Sequence, residues 1–165
     1  MDYLQFVNHS KERLARELAG YDLQPNNLAI VLNRASGAVT SLAETEVHRP
    51  RGLSWNAFKV MFILWMLDGA EQQEVTSLAD AGRATISAVV KNLVRLEYVD
   101  QYKSSRDGRT KTLHLTKTGR KIVREMYLAQ NSLLTEWSTS LTDAEQEILR
   151  LLLLKLLGSK PSHDR

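Results

Sequence analysis

The 165-residue chain contains no cysteine, only three prolines and eight glycines, and no long hydrophobic run. The absence of cysteine excludes disulfides, thiolate zinc sites, iron–sulfur clusters and thiol redox switches. The scarcity of glycine and proline excludes collagen-like and low-complexity sequences. The longest uninterrupted apolar run, residues 60–67, is far shorter than the ~20 residues needed to cross a bilayer. Because the N-terminal residues lack the apolar core of a secretory leader, we expect a cytoplasmic protein with no membrane contact.

Motifs of catalysis and metal binding are also missing from the sequence. It has no nucleophile elbow, no glycine-rich phosphate loop and no histidine–acid pairing of the kind that indicates an enzyme. The histidines at positions 9, 48, 114 and 163 include no pair at i, i+4 spacing and have no neighbouring carboxylate cluster. We therefore expect no enzymatic activity, no bound metal and no cofactor.

Basic residues are concentrated in one part of the chain. Residues 83–124 contain eleven Lys and Arg but only three Asp and Glu, a net charge of +8, whereas the remaining residues carry −5. A basic block inside an otherwise acidic chain indicates a surface for a polyanion such as nucleic acid. The alternative is a solvated charged face on which the clustering is accidental.

Apolar residues at three- and four-residue spacing predict that most of the chain is helical. Predicted helices cover residues 3–18, 27–47, 54–67, 75–80, 85–95 and 116–137, and a last one begins at residue 142. The predicted N-caps are Ser54, Thr85, Thr116 and Thr142, and Glu145 completes a capping box with Thr142. Residues 48–52, which include Pro50 and Gly52, are predicted to form a loop.

The pattern changes to that of strands in the middle of the basic block. Residues 98–103 and 110–115 are β-prone, and between them lies the segment Ser-Ser-Arg-Asp-Gly-Arg. An Asp-Gly pair between two such runs predicts a β-hairpin. His114 alternates with leucines on the second strand, so we expect its side chain to be exposed.

The C-terminal helix has too much apolar surface for a peripheral helix of a small domain. Eight of the ten residues from Ile148 to Leu157 are apolar. A helix that is apolar nearly all round must be covered on several sides, and a second subunit is a natural cover. The alternative is burial within the chain against the first two helices.

A helix, a short helix, a glycine, a further helix and a hairpin follow one another in the order of a winged helix-turn-helix. The second helix of the turn presents small and polar residues opposite its apolar face, and these are the candidate DNA contacts: Thr85, Ser87, Ala88, Lys91, Asn92 and Arg95. Lys91 and Arg95 suit phosphates or guanine, and Asn92 suits adenine. The hairpin tip adds Arg106, Asp107 and Arg109. For each charged residue the alternative is an ordinary solvated side chain.

The stretch from Leu53 to Gly119 resembles the multiple-antibiotic-resistance regulator (MarR) family of bacterial transcription factors. The matching segments are L-S-W-N-A-F-K-V, L-A-D-A-G-R-A-T-I-S-A-V-V-K-N-L and D-G-R-T-K-T-L-H-L-T-K-T-G-R. The last is the most specific, because an Asp-x-Arg hairpin tip is followed by Leu-Thr-x-x-Gly at the start of the next helix. Two positions depart from the family: Glu97 stands where glycine is frequent, and Gln101 where arginine is common.

The resemblance implies a homodimer, held by its terminal helices, that binds pseudo-palindromic double-stranded operator DNA. It also implies that the wing presents Arg109 to the minor groove and that Asp107 orients this arginine. Many family members bind a small anionic aromatic compound between their dimerisation helices and DNA-binding lobe, which weakens DNA binding. Candidate effector contacts here are Arg34, Arg51 and Trp65.

The predicted fold class is therefore mainly α with a small β-hairpin wing. We expect residues 1–52 to form N-terminal dimerisation helices, 53–116 the winged helix-turn-helix lobe, and 117–165 a long linker helix and a C-terminal dimerisation helix. The predicted function is that of a nucleoid-associated, homodimeric transcription regulator, a repressor released by a small aromatic or anionic ligand. The alternative is a helical protein-interaction module that uses its leucine-rich C-terminal helix without specific DNA binding.

Overall fold

The computed structural model describes residues 2–103 and 111–159. Its α-helices are α1 (Tyr3–Glu17), α2 (Gln24–Ala43), α3 (Trp55–Leu67), α4 (Gln72–Leu78), α5 (Arg83–Arg95), α6 (Lys117–Trp137) and α7 (Asp143–Gly158). Its strands are β1 (Ala70–Glu71), β2 (Val99–Lys103) and β3 (Lys111–Leu115). The predicted class, mainly helical with a small β wing, is confirmed.

The chain divides into two compact units, one ending at Leu42 and the other beginning at Ala43. In the first unit, α1 begins at a capping box formed by Asp2 and Gln5. The guanidinium of Arg34 lies 4.8 Å from the ring centroid of Tyr3, which is a cation–π contact between α2 and α1. Several large apolar residues of α2 are exposed: Leu28, Ile30, Val31 and Leu32.

The second unit is built around α3, which is apolar on nearly every face and packs against α4, α5, α6 and the sheet. The fully buried side chains come from all of these elements: Val60, Met61, Leu64, Val75, Ile86, Leu93, Val99, Leu113, Val123 and Met126. This core holds α4, α5 and the hairpin in a fixed arrangement, which places their polar residues on one exterior surface.

The sheet is antiparallel, with strand order β1-β3-β2. The predicted hairpin is confirmed by the pairing of β2 with β3, in which Gln101 lies opposite Leu113 and Lys103 opposite Lys111. The sequence did not predict β1, which pairs with the other edge of β3 through Ala70 and Glu71. A two-residue strand has no periodicity to detect, and its pairing with residues 112 and 113 is visible only in three dimensions.

Three of the four predicted helix caps are confirmed. The side chains of Ser54, Thr116 and Thr142 accept hydrogen bonds from the backbone N–H groups three residues later. The carboxylate of Glu145 in turn accepts a hydrogen bond from the backbone N–H of Thr142, which completes the predicted capping box. These motifs depend on local sequence alone, which explains why the pattern was sufficient.

The prediction that Thr85 caps α5 is wrong, because the N-cap is Gly82, three residues earlier, and the helix begins at Arg83. The predicted loop at residues 48–52 is also wrong. A π-helical turn covers Glu44–His48 and a 3-10 turn covers Arg49–Arg51, and Gly52 ends them with a φ of 69°. Pro50 is compatible with this turn because its missing N–H lies in the first turn, where no partner is needed.

Within the described residues, no helix combines the length and apolarity that crossing a membrane requires.

Candidate nucleic-acid interface

Helices α4 and α5 form the predicted helix-turn-helix, and both pack against α3. The inner face of α5 carries Ile86, Val90 and Leu93, each at most 2% exposed. Burying three such side chains contributes several kcal/mol, at about 1.5–3 kcal/mol each. The orientation of α5 about its own axis is therefore fixed by the core.

The opposite face of α5 carries all six residues predicted from the sequence as DNA contacts. Ser87 and Asn92 are half-buried, and the other four are exposed. The six residues are Thr85, Ser87, Ala88, Lys91, Asn92 and Arg95. Arg95 donates from Nη2 to Oδ1 of Asn92 at 2.8 Å. This contact orients the amide of Asn92 and leaves its NH2 group available as a donor.

Two cations near the start of α5 and the wing were not among the predicted contacts. Arg83 is the first residue of α5 and is exposed. Lys111 begins β3 and donates from Nζ to Oε1 of Gln101 at 3.2 Å. Both belong to the basic block, but their positions depend on the true start of α5 and on the strand register, which the sequence did not provide.

Arg83 and Lys111 share a polar cleft of about 280 Å³ that lies between α4, α5 and β3. Other lining residues are Glu71, Gln72, Thr76 and Ser87. We call this depression the α4–α5 cleft. It opens beside Ser87, on the same side of α5 as the predicted base contacts.

The tip of the wing was predicted to present Arg106, Asp107 and Arg109. These three residues lie outside the described residues, so their predicted roles stay predictions. The strands that carry the tip are described as far as Lys103 and Lys111, whose backbones lie opposite each other.

The exit from α5 is tight although glycine is absent there. Glu97 adopts the left-handed conformation that favours glycine, with a φ of 58°. The amides of Glu97 and Tyr98 donate to the carbonyls of Val94 and Leu93 and close the helix end. The departure from the family pattern at Glu97 is therefore tolerated, at some conformational cost.

Gly119 is required by a close approach between α6 and the start of β2. A Cβ atom at this position would lie 2.0 Å from the carbonyl oxygen of Tyr98. The same oxygen accepts a hydrogen bond from the amide of Thr116, whose hydroxyl donates to the carbonyl of Glu97. The close packing of α6 against Tyr98 therefore requires a residue without a side chain at position 119.

The three candidate effector residues occupy separate environments. Arg34 stacks on Tyr3 in the first unit. Arg51 precedes α3 and donates to the carbonyl oxygen of Val47. Trp65 lies near the other end of α3, ~15 Å along the helix axis from its first residue. They do not form one site within either unit.

Trp65 belongs to a cluster of aromatic rings on α3 and α6. Its ring packs edge-on against Phe62 and Tyr127, with centroids 6.4 and 5.9 Å away. Trp55 also packs against the core, whereas Trp137 is 47% exposed in the single chain. Trp137 is the last residue of α6, beyond the part of that helix that α3 covers.

A buried histidine lies close to this cluster and was not predicted. His48 is 0% exposed, stacks on Phe58 and Trp55, and donates from Nε2 to Oε1 of Gln130 at 3.0 Å. Its Nδ1 has no partner among the described residues. Burial lowers the pKa of His48 below 6.5, although the contact with Gln130 and the charge of Glu44 act in the opposite direction. The burial of His48 depends on its packing against α3 and on Gln130, 82 positions later in the chain, so a local sequence pattern does not show it.

His114, which was expected to be exposed, is half-buried because it lies under the turn after α3. A Cβ atom on Gly69 would lie 2.3 Å from its ring, and Tyr102 packs edge-on against its other side. No cluster of three or more potential metal ligands occurs in the described part of the chain.

Residues 45–126 match the sequence profile of the family described as transcriptional regulator SarA/Rot. A helix-turn-helix transcriptional regulator of Bacillus subtilis, YwaE, is 30% identical over 135 residues, which are 82% of this chain and 79% of that protein.

Two solved structures show the same fold. A mutant of Escherichia coli MarR in complex with operator DNA has a TM-score of 0.74 at 20% identity, over 82% of this chain and 96% of that one. Bordetella bronchiseptica BpsR, whose DNA binding is regulated by 6-hydroxynicotinic acid, has a TM-score of 0.72 at 21% identity, over 78% and 97%. The relationship to YwaE establishes that the chain belongs to a family of helix-turn-helix transcription regulators, and its helix-turn-helix and wing have the fold of the MarR regulators.

Proposed function

We propose that the protein is a homodimeric repressor that binds a two-fold operator in double-stranded DNA and is released by a small aromatic acid. The observation that carries this proposal is the outer face of α5. Its small and polar residues permit close approach to the major groove, and Lys91, Asn92 and Arg95 supply donors to bases and phosphates. The +8 charge of the surrounding block provides the nonspecific attraction.

The dimer is supported by apolar surface on the terminal helices. Seven apolar residues of α7 are between 46 and 84% exposed in the single chain: Ile148, Leu149, Leu151, Leu152, Leu154, Leu156 and Leu157. Together with the exposed face of α2, they form more apolar surface than a monomer normally presents to water. We infer that residues 1–52 and 117–165 contribute the dimer contacts and that 53–116 binds DNA.

A symmetric dimer carries two copies of α5 and therefore contacts two half-sites. Recognition helices related by a two-fold axis bind successive major grooves, so we expect half-site centres ~34–36 Å apart. Footprinting should reveal an inverted repeat with this spacing. A single unrepeated half-site would argue against the dimeric arrangement.

The effector is proposed from the aromatic cluster and from a similar protein. BpsR is regulated by 6-hydroxynicotinic acid, an aromatic acid. Here Trp65 and Tyr127 offer partly exposed rings against which such a ligand can stack. A ligand that prefers the geometry without DNA must lower DNA affinity by linkage. A screen of aromatic acids that changed neither the melting temperature nor DNA binding would exclude this class of effector.

The experiment that tests DNA recognition compares two variants that affect different parts of the interface. Asn92→Ala removes a base contact and should cost about 1–3 kcal/mol on the best operator while relaxing preference at one base pair. Arg109→Ala removes a wing cation and should weaken binding to every duplex and reduce the salt slope by about one. Fluorescence anisotropy on operator and scrambled duplexes, at several salt concentrations, measures both effects.

Melting curves provide the control: Asn92 lies outside the core and Arg109 is predicted at the tip of the wing, so both variants should unfold like the wild type. Wild-type affinity for Arg109→Ala at every salt concentration would show that the wing does not contact DNA. If neither duplex binds and heparin does not retain the protein, the protein-interaction alternative would replace the present proposal.

A further inference from the structure

We infer that the α4–α5 cleft binds one phosphate of the DNA backbone and that Lys111, positioned by Gln101, is its principal ligand. The inference rests on the proposed DNA-binding function and adds a contact that neither the recognition helix nor the wing tip supplies. Its basis is the hydrogen-bonded arrangement of Lys111 and two glutamines beside Arg83.

The sheet register explains why Lys111 and Gln101 meet. Gln101 lies directly opposite Leu113, and alternate residues of a strand point to the same face, so Lys111, Leu113 and Gln101 share one face. Leu113 is fully buried on this face. Lys111 and Gln101 are thus diagonal neighbours, within reach for long side chains.

A chain of polar contacts then leads from β3 to α4. Lys111 donates from Nζ to Oε1 of Gln101 at 3.2 Å, and Gln101 donates from Nε2 to Oε1 of Gln72 at 3.5 Å. The carbonyl of Gln101 holds the ammonium group of Lys111 at the cleft, and within the described residues the other two N–H donors of that ammonium group make no hydrogen bond. Gln101 thereby performs a positioning role at the place where the family commonly has an arginine.

The charges around the cleft favour a single anion. Arg83 lines the cleft at the start of α5, where the helix dipole is positive. Among the described residues, no carboxylate forms an ion pair with Arg83 or Lys111. Glu71 also lines the cleft and opposes an anion, so its removal should strengthen binding.

The location selects DNA as the source of the phosphate. Ser87, on the polar face of α5, is shared between the cleft and the predicted base-contacting surface. When α5 lies in a major groove, a group beside its first turns faces the sugar–phosphate backbone that borders the groove.

Anisotropy titrations of the full-length protein on operator and scrambled duplexes test the role of Lys111. We expect Lys111→Gln to weaken binding about five- to tenfold on both duplexes and to reduce the salt slope by about one, since one phosphate contact is lost. Lys111→Arg should retain most of the affinity, and Glu71→Gln should increase it. Lys11→Gln is the matched control, because Lys11 lies on α1, outside the basic block, and does not line the cleft.

A second measurement locates the phosphate and separates positioning from direct contact. Single methylphosphonates placed along the operator neutralise one phosphate at a time, and one of them should weaken wild-type binding but not that of Lys111→Gln. Gln101→Ala should weaken binding about two- to threefold in the wild type and not at all in the Lys111→Gln background.

Three outcomes decide the inference. If Lys111→Gln bound DNA with wild-type affinity and salt slope while Asn92→Ala bound weakly, the proposed phosphate site in the cleft would be refuted and the proposed function would stand. The inference would also be overturned if every methylphosphonate weakened the binding of Lys111→Gln as much as it weakens the binding of the wild type. Absence of DNA binding by the wild type would overturn both proposals.

Discussion

Replacing Gly119 by alanine should destabilise the DNA-binding unit far more than one added methyl group normally does. The new Cβ atom would lie 2.0 Å from the carbonyl oxygen, 2.8 Å from the carbonyl carbon and 3.1 Å from the Cα of Tyr98. All three are backbone atoms of a short turn, so no flexible side chain can move aside. The start of α6 must therefore shift away from β2.

The cost follows from the contacts that this shift would break. Overpacking costs ~1–3 kcal/mol. The hydrogen bonds from Thr116 to the carbonyls of Tyr98 and Glu97 contribute ~1 kcal/mol each. Alanine regains about 1 kcal/mol of helix propensity over glycine. We expect a net loss of about 2–4 kcal/mol, which corresponds to a melting temperature lower by roughly 5–15 °C.

Urea and thermal unfolding at one fixed protein concentration measure this loss. Gly37→Ala is the matched control, because Gly37 lies within α2 and a Cβ there has no heavy atom within 4 Å. The control should be neutral or stabilising by up to about 1 kcal/mol. If Gly119→Ala and Gly37→Ala changed the melting temperature equally, the close approach of α6 to β2 would be refuted.

Three further perturbations test other parts of the structure. The free energy of unfolding should fall as the pH drops below about 6.5, because burial lowers the pKa of His48, so that the unfolded chain takes up a proton there before the folded chain does. His48→Gln should flatten this pH dependence in urea titrations between about pH 5 and 7.5. Leu152→Glu combined with Leu156→Glu should give monomers or insoluble protein, and a well-folded dimer in light scattering would contradict the proposed interface. Glu97→Gly should stabilise the protein by about 0.5–1 kcal/mol, because the left-handed conformation strains a side chain; a lower melting temperature would contradict that assignment.

Local motifs explain which parts of the fold were predictable from the sequence. The caps at Ser54, Thr116 and Thr142 and the order of helices and hairpin depend on residues within a few positions of one another. The cap of α5 was predicted three residues late, because Thr85 has a hydroxyl that can cap a helix and Gly82 has no side chain, although the chain uses the glycine. Strand β1 is too short to have a period.

The candidate site was predictable only where one element contains it. The outer face of α5 follows from helical spacing, so its six residues were identified together. The contact between Lys111 and Gln101 depends on the register of two strands, and the burial of His48 depends on Gln130 in α6. Such contacts join residues on different elements, so residue spacing along the chain does not predict them.

The central position of β3 determines how the root of the wing can move. Its residues Thr112 and Leu113 have neighbours on both sides, so the hairpin cannot tilt at its root without dragging β1. Strand β1 starts only three residues after the end of α3, and the turn between them rests on the ring of His114. The strand pairing thus couples the hairpin, through β1, to the C-terminal end of α3. A displacement of that helix end, where Trp65 lies, would therefore have to shift the strands of the hairpin as well.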